Sequence, residues 1–193
     1  IAVSNTNRQL QALGDAYGQA KVDALATRVA QINPACRVTT IEDFVTPDNV
    51  DALLGQGFDC VIDCIDDVRA KTALIAWCRA HRMPLVICGS AGGQLDPTRI
   101  QIADLAKTIQ DPLLARVRTN LRRDHGFARG PKSKFGIDAV FSDEPLRYPD
   151  ASCESGSGPQ GLNCAGFGSS VCVTAAFGLA AASRALALLA EPA

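Results

Sequence analysis

A short apolar segment that ends in carboxylates, residues 58–67, constrains the fold of this chain more than any other. Its apolar residues stop at Ile65 and give way to Asp66 and Asp67, and apolar side chains then recur at helical spacing over residues 68–82. This pattern predicts a buried central strand followed by a helix. In open α/β sheets, ligands bind at the carboxyl ends of the strands, so we expect a site at this edge.

The carboxylates at the end of this strand allow two interpretations. Mg²⁺ at nucleotide sites is commonly held by one or two carboxylates together with phosphate oxygens, and Asp66 is the candidate ligand. Alternatively, Asp63, Asp66 and Asp67 only cap the helix that follows, since acidic residues are common there. The residues themselves leave both interpretations open.

The rest of the chain alternates between predicted helices and strands. Residues 18–32 predict an amphipathic helix that ends at Asn33 and Pro34, and Thr46 to Asp48 predict the start of a short one. Strands are predicted at residues 1–3 (a strand tail), 36–41, 84–88, 99–103 and 137–141. This alternation implies right-handed crossovers. We therefore expect a Rossmann-like, doubly wound α/β domain, with a mainly parallel sheet and helices on both faces.

Composition narrows the class of protein. A net charge of −1 excludes an overall field that would attract nucleic acid, and 47% hydrophobic residues exclude a disordered chain. The eight cysteines include no Cys-x-x-Cys pair, so a structural zinc site is not expected. We see no signal peptide and expect one domain, residues 1–193, in the reducing cytoplasm.

Two polar segments near the amino end are candidates for phosphate binding. Arg8, in a turn with Asn5 and Asn7, offers a planar fork for phosphate. Lys21 lies in the first turn of a predicted helix, where an ammonium and the helix N-terminus together favour an anion. The alternative is a capping turn with solvated cations.

A basic helix and loop at residues 112–135 hold seven of the 19 lysine and arginine residues, against one acid, Asp124. Such a segment can neutralise a nucleic-acid backbone, but a solvated charge run fits the composition equally well. The seven cations are Arg116, Arg118, Arg122, Arg123, Arg129, Lys132 and Lys134.

The carboxyl-terminal part contains a predicted crossing loop at residues 150–166 and an apolar segment at 171–190. Cys153 and Cys164 lie near the two ends of this loop but have no neighbouring histidine that would activate a nucleophile. Arg184 interrupts the apolar segment, and Ala and Gly are abundant where a spanning helix would carry Leu and Ile. We therefore expect a buried helix, packed on the sheet or at a dimer contact, rather than a membrane span.

Several motifs together resemble the adenylating domain of the ubiquitin-activating-enzyme-like (ThiF/MoeB/HesA) superfamily. They are Ser4-Asn5-x-Asn7-Arg8-Gln9, Gly18-Gln19-x-Lys21 and Asp63-x-Ile65-Asp66, in this order. Residues 89–94, Asp96-Pro97-Thr98 and residues 104–112 further resemble the bacterial tRNA threonylcarbamoyladenosine dehydratases within that superfamily.

The resemblance implies a homodimeric enzyme that uses ATP and Mg²⁺ to activate the carboxylate of threonylcarbamoyladenosine in tRNA, which then cyclises with loss of water. Arg8 and Lys21 would bind the phosphates, Asp66 would hold Mg²⁺, and Asn5, Gln9 and Ile65 would line the nucleotide site. It also implies a monovalent cation (K⁺ or Na⁺), a cysteine desulfurase or other sulfur-relay partner, and a membrane-associated carboxyl terminus.

One departure and two rival functions accompany the resemblance. In the superfamily, a glycine-rich phosphate loop and a ribose-binding acid precede the Ser-Asn turn, whereas this sequence starts at Ile1. We therefore expect a truncated domain that binds ATP weakly. The rivals are an adenylyltransferase for a ubiquitin-like sulfur carrier, whose relatives usually carry Cys-x-x-Cys ligands, and a catalytically inactive tRNA-binding or dimerisation fragment.

Overall fold

The computed structural model describes residues 1–147 and 168–190, which form two compact units, Ile1–Phe44 and Val45–Ala193. Each unit is described by itself. The crossing loop predicted at 150–166, with Cys153 and Cys164, lies outside the described residues.

The first unit contains one α-helix and two short 3-10 helices. The helix α1, Lys21–Ile32, matches its prediction and ends at Asn33. The strand tail predicted at residues 1–3 is wrong, because a 3-10 helix occupies Val3–Asn5. Its turn is closed by the Asn5 side chain, whose Oδ1 accepts a hydrogen bond from the Ala2 N–H at 3.0 Å. A second 3-10 helix covers Gly14–Ala16.

The strand predicted at residues 36–41 is also wrong. These residues have no regular secondary structure, and Val38 and Ile41 are exposed. β-Branched side chains favour a strand only when they pack on a half-buried pleated surface. No strand in the described part of the chain pairs with this segment, so its β-branched residues do not form a strand.

The second unit is built on a four-stranded sheet in the order β1-β2-β4-β3. β1, β2 and β4 are parallel, and β3 pairs with β4 in the antiparallel direction. The mainly parallel sheet is thus confirmed, although β1 lies at the edge of this sheet and not at its centre. The strands are β1, Val61–Asp63; β2, Leu85–Cys88; β3, Ile100–Asp104; and β4, Asp138–Ser142.

Among the described residues, four α-helices accompany the sheet: α2, Val50–Leu54; α3, Val68–Ala80; α4, Pro112–Asp124; and α5, Val171–Ala190. α2 begins later than the predicted start at Thr46. The Thr46 N–H donates to Asn49 Oδ1 at 2.7 Å and the Asn49 N–H donates to Thr46 Oγ1 at 3.3 Å. Thr46 therefore belongs to a capping turn that precedes the helix.

Helices cover both faces of the sheet, as predicted. Successive strand residues point to opposite faces, so Leu85 and Ile87 pack in the core that contains α3 and α4. Val86 and Cys88 pack instead against α5 on the other face. This alternation places the carboxyl ends of β1 and β2 between two helical layers.

The helix α5 packs on the sheet, as predicted, but it is buried along one face only. Val173, Phe177, Ala181 and Ala185 face the sheet. On the opposite side, Leu179 and Leu186 are 74% and 67% exposed. By length and composition, α5 is also the one helix among the described residues that could cross a membrane.

Candidate nucleotide site and basic surface

The two carboxylates in the turn between β1 and α3 have different roles. Asp67 caps α3, since its Oδ1 accepts a hydrogen bond from the Ala70 N–H at 2.7 Å. Asp66 is exposed, and within residues 1–147 and 168–190 no hydrogen bond or ion pair engages its carboxylate. The capping interpretation is therefore confirmed for Asp67, while Asp66 is left available to a ligand.

Asp63 is not a helix cap but one half of a buried ion pair. Its Oδ2 lies 2.9 Å from Lys71 Nζ, and neither side chain is accessible to solvent. Asp63 Oδ1 also accepts the Ile65 N–H at 2.8 Å. The pair fixes the end of β1 to α3 and shapes the turn that presents Ile65 and Asp66.

Two thiols lie side by side at the same edge of the sheet. Asp63 pairs with Ile87 in the parallel ladder, so the next residues, Cys64 and Cys88, are neighbours. A hydrogen bond from Cys88 lowers the pKa of the exposed Cys64 thiol to about 7. The same hydrogen bond, together with burial, raises the pKa of Cys88.

The start of α4 is attached to the carboxyl end of β2 through Asp111. Its carboxylate accepts the Ser90 N–H at 2.8 Å and the Leu114 N–H at 2.9 Å. A Cβ atom at Gly89 would collide with this carboxylate. Burial raises the pKa of Asp111. The glycine that opens the glycine-rich turn is therefore required by close packing.

The glycine-rich turn ends in a second buried carboxylate contact. Glu144 Oε2 accepts the Leu95 and Asp96 N–H groups, both at 2.8 Å, and these hydrogen bonds lower the pKa of Glu144. Gln94 beside them is fully buried, and its side-chain amide has no hydrogen-bond partner among the described residues. Glu144 was not singled out from the sequence, and Gln94 entered only as the last residue of the 89–94 motif, since nothing in their spacing signals the contact.

In the first unit, some predicted site residues keep hydrogen-bond donors for a ligand, and others support the local structure. Arg8 Nη1 donates to Ser4 O and to Asn7 Oδ1, both at 2.9 Å, which orients the guanidinium. Lys21 is exposed at the first residue of α1, and Ala20 before it provides no side-chain cap. Asn5 is buried in its turn, and Gln9 Oε1 accepts a hydrogen bond from Gln11 Nε2 at 3.2 Å. Arg8 and Lys21 therefore keep donors for a ligand.

The predicted site residues thus belong to both units. Asn5, Arg8, Gln9 and Lys21 lie in the first, and Ile65 and Asp66 lie in the second. Within the described ranges, no group of three or more His, Cys, Asp or Glu side chains could hold a metal ion. A metal ion at Asp66 would accordingly be bound mostly by water and ligand oxygens.

The seven cations of the basic segment do not form a single face. Arg122, Arg123 and Arg129 line a cavity of about 440 Å³. Arg118 instead contacts Thr108 Oγ1, and burial lowers its pKa. The remaining cations, Arg116, Lys132 and Lys134, are exposed.

Two phenylalanines order the loop after α4. Phe127 and Phe135 meet edge to face, with centroids 4.9 Å apart. The guanidinium of Arg79 lies 4.8 Å from the Phe127 centroid, and that of Arg122 lies 5.0 Å from the Phe135 centroid. The sequence gives no sign that Arg79, at the end of α3, belongs to this cluster.

Comparisons with known proteins agree on one family. The model of the ThiF family matches residues 1–192. The chain is 52% identical to the tRNA threonylcarbamoyladenosine dehydratase of Escherichia coli (strain K12), covering 96% of this chain and 72% of that protein. It is 50% identical to the enzyme of the same name from Haemophilus influenzae, covering 95% of this chain and 70% of that protein.

A solved structure shows the same fold. The crystal structure of the Escherichia coli dehydratase in complex with ATP matches with a TM-score of 0.87 at 51% identity, covering 98% of this chain and 71% of that one. The sheet order, the motifs and these matches lead to one conclusion: the chain belongs to the ThiF family.

Proposed function

We propose that this protein is an ATP-dependent tRNA threonylcarbamoyladenosine dehydratase. A carboxylate oxygen of the modified nucleoside attacks the α-phosphorus of ATP and releases pyrophosphate. The carbamoyl oxygen then attacks the activated acyl carbon, AMP leaves, and a ring closes with net loss of water. The observation that carries this proposal is the 52% identity, over 96% of the chain, to an enzyme named for this activity.

The residues of the nucleotide site have distinct roles in this reaction. Arg8 and Lys21 bind the polyphosphate, because both retain hydrogen-bond donors among the described residues. Asn5, Gln9 and Ile65 line the nucleotide site, and Asn5 also maintains the turn that orients Arg8. Fixed positive charge near the leaving pyrophosphate stabilises the charge that develops on it.

Asp66 is the Mg²⁺ ligand in this account. It is an exposed carboxylate at the carboxyl end of a parallel strand, and the described residues leave it unpaired. A bound Mg²⁺ would neutralise phosphate charge. The Asp63–Lys71 pair acts indirectly, by fixing the turn that presents Asp66.

The exposed cations of the basic segment bind the tRNA. Arg122, Arg123 and Arg129 converge on one cavity, and Arg116, Lys132 and Lys134 are exposed beside it in sequence. Guanidinium groups suit phosphate oxygens, which they contact as planar forks. Arg123 already forms an exposed ion pair with Asp124 at 2.7 Å, which a phosphate would have to replace. Arg118 contributes at the margin of this surface, since part of its hydrogen-bonding capacity is used by Thr108.

The enzyme forms a homodimer in the cytoplasm through the outer face of α5. Exposed residues follow one another on this face at alternating steps of three and four, which is the spacing of a helix-pairing seam. They are Cys172, Ala175, Leu179, Ala182, Leu186 and Leu189. A second copy of the chain would cover this seam with its own α5.

Sedimentation equilibrium tests whether the protein is a dimer, and vesicle flotation tests whether it binds a membrane instead. The wild type is expected to be a dimer that does not float with vesicles, and Leu179→Glu combined with Leu186→Glu is expected to be monomeric. Leu13→Glu, at an exposed leucine of the first unit, is the control and should leave the mass unchanged. A monomeric wild type, or a wild type that floats with vesicles, would contradict the proposal.

The activity is tested with tRNA that contains threonylcarbamoyladenosine, incubated with ATP and Mg²⁺ in K⁺, Na⁺ or choline buffer. Nucleosides are then analysed by mass spectrometry. The chain spans 72% of the Escherichia coli relative, and that relative is assayed beside it as the positive control. Loss of one water, abolished by Arg8→Ala, is expected. No loss with this protein while the relative is active would contradict the proposal and direct the search to a sulfur-carrier substrate or a binding-only role, with a cysteine desulfurase as the first partner to test.

A further inference from the structure

The helix α3 ends in a turn where arginine replaces the usual glycine. The Met83 N–H donates to Cys78 O at 2.9 Å and the Arg82 N–H donates to Arg79 O at 3.4 Å, which is the Schellman pattern of helix termination. Arg82 has a φ of 54°, in the left-handed region that favours glycine. The position therefore holds an arginine against its backbone preference.

Arg82 lines a cavity of about 510 Å³ at the amino ends of β2 and β4. Arg79 and Lys134 line it as well, and its apolar wall includes Leu85 and Leu188. Asp138 is the acid in the lining, and Arg184 already neutralises it at 2.7 Å. The cavity thus presents three cations whose charge no acid within it balances.

One cation of this cavity, Arg79, is held in place before any ligand arrives. Arg79 Nη1 donates to Phe135 O at 2.7 Å while its guanidinium lies over Phe127. Phe135 lines the cavity and carries Arg122 on its ring. Arg122 in turn lines the cavity that it shares with Arg129. Two basic cavities are therefore joined through one aromatic side chain.

We propose that the cavity lined by Arg79, Arg82 and Lys134 binds a phosphate group of the tRNA backbone, so that the tRNA contact extends from α4 to the end of α3, above the buried Phe135 that links the two cavities. The inference rests on the proposed function only for the identity of the nucleic acid. Two basic cavities linked through Arg122 and Phe135 suit a polymer of phosphates better than a single free phosphate, which would occupy only one of them.

The test uses Arg82→Gly, because glycine suits the backbone at this position and the fold should be kept or slightly stabilised. Affinity for tRNA is measured by fluorescence anisotropy at several salt concentrations. Loss of one phosphate contact lowers the slope of log K against log salt by roughly 0.7–0.9, and we expect a several-fold weaker Kd at low salt. Arg28→Ala, an exposed arginine of α1, is the matched control. A slope and Kd for Arg82→Gly equal to those of wild type would overturn the inference.

Two further measurements separate this inference from its competitors. Inorganic phosphate is titrated by calorimetry; if it binds in an Arg82-dependent way while the tRNA slope does not change, the ligand is a small phosphate and the inference is wrong. Dehydration of the modified nucleoside is assayed in parallel. If Arg82→Gly lowers the salt slope of tRNA binding but the wild type does not dehydrate the nucleoside, only the proposed function is wrong. If the wild type dehydrates the nucleoside and Arg82→Gly leaves the salt slope unchanged, only the inference is wrong.

Discussion

The ammonium of Lys71 lies 2.9 Å from the carboxylate of Asp63, and both side chains are fully buried. Lys71 also approaches Asp63 O, at 3.4 Å. The pair joins the last residue of β1 to the first turns of α3 across the turn that presents Asp66. A buried pair is strongly destabilised when one partner is lost, because the other charge remains without compensation.

Lys71→Met should therefore lower the free energy of unfolding by about 3–5 kcal/mol, measured by urea denaturation. Combining it with Asp63→Asn should recover part of the loss, since no charge is left buried. Arg69→Met, at an exposed residue of the same helix, should change stability by less than about 0.5 kcal/mol. If Lys71→Met and Arg69→Met lowered the free energy of unfolding equally, the buried pair would not be what holds this turn.

Gly89→Ala should destabilise the protein by about 1–3 kcal/mol, because the added methyl group overpacks the contact with Asp111 and Leu114. Gly178→Ala is the matched control. A Cβ there meets nothing within 4 Å, and glycine inside a helix is about 0.5–1 kcal/mol less favourable than alanine. The two substitutions should thus shift the thermal midpoint in opposite directions; a shift in the same direction would contradict the packing argument.

The pH dependence of stability should change in Asp111→Asn. Burial raises the pKa of Asp111, so the folded state holds its proton at a pH where the unfolded state has lost it. The associated stability is fully present below the unfolded pKa of about 3.9 and is lost as pH rises through the folded value. Urea denaturation from about pH 4 upward should show that the wild type loses stability relative to Asp111→Asn. If the difference in free energy of unfolding between the two proteins stayed constant with pH, Asp111 would not be the source of the pH dependence.

Asp66→Asn should raise the Mg²⁺ concentration needed for half-maximal dehydration without affecting the fold, since Asp66 is exposed and unpaired among the described residues. Loss of even an outer partner of a metal site costs about 10- to 100-fold in metal affinity or activity, so we expect at least this effect. Asp67→Ser keeps a capping oxygen for α3 and serves as the control. If the two variants have the same Mg²⁺ dependence, Asp66 is not the ligand.

The fold was largely predictable because its core elements carry periodic sequence signals. β2 is a continuous apolar strand, and α1 and α3 show helical spacing, so element type followed from the residues. The predictions of secondary structure were wrong where a side-chain hydrogen bond, or the lack of a neighbouring strand to pair with, decides the conformation. Asn5 closes a turn at the predicted strand tail, and residues 36–41 pair with no strand of the described chain.

The candidate site was less predictable because its contacts join distant residues. Asp66 and Asp67 are equivalent in sequence, and only the hydrogen bond to Ala70 distinguishes the cap from the available carboxylate. Six of the seven cations that are close together in sequence line four different cavities once α4 is folded. Arg82 gave no signal, since its role depends on how α3 ends.

The most direct test of the central claim follows a carboxylate oxygen. The threonylcarbamoyladenosine of tRNA is labelled with ¹⁸O in its carboxylate, incubated with ATP, Mg²⁺ and the protein, and the phosphorus-containing products are examined by mass spectrometry. Acyl adenylation predicts AMP with one labelled oxygen and unlabelled pyrophosphate. Label in inorganic phosphate with formation of ADP, or cyclisation without transfer of label to AMP, would contradict the account.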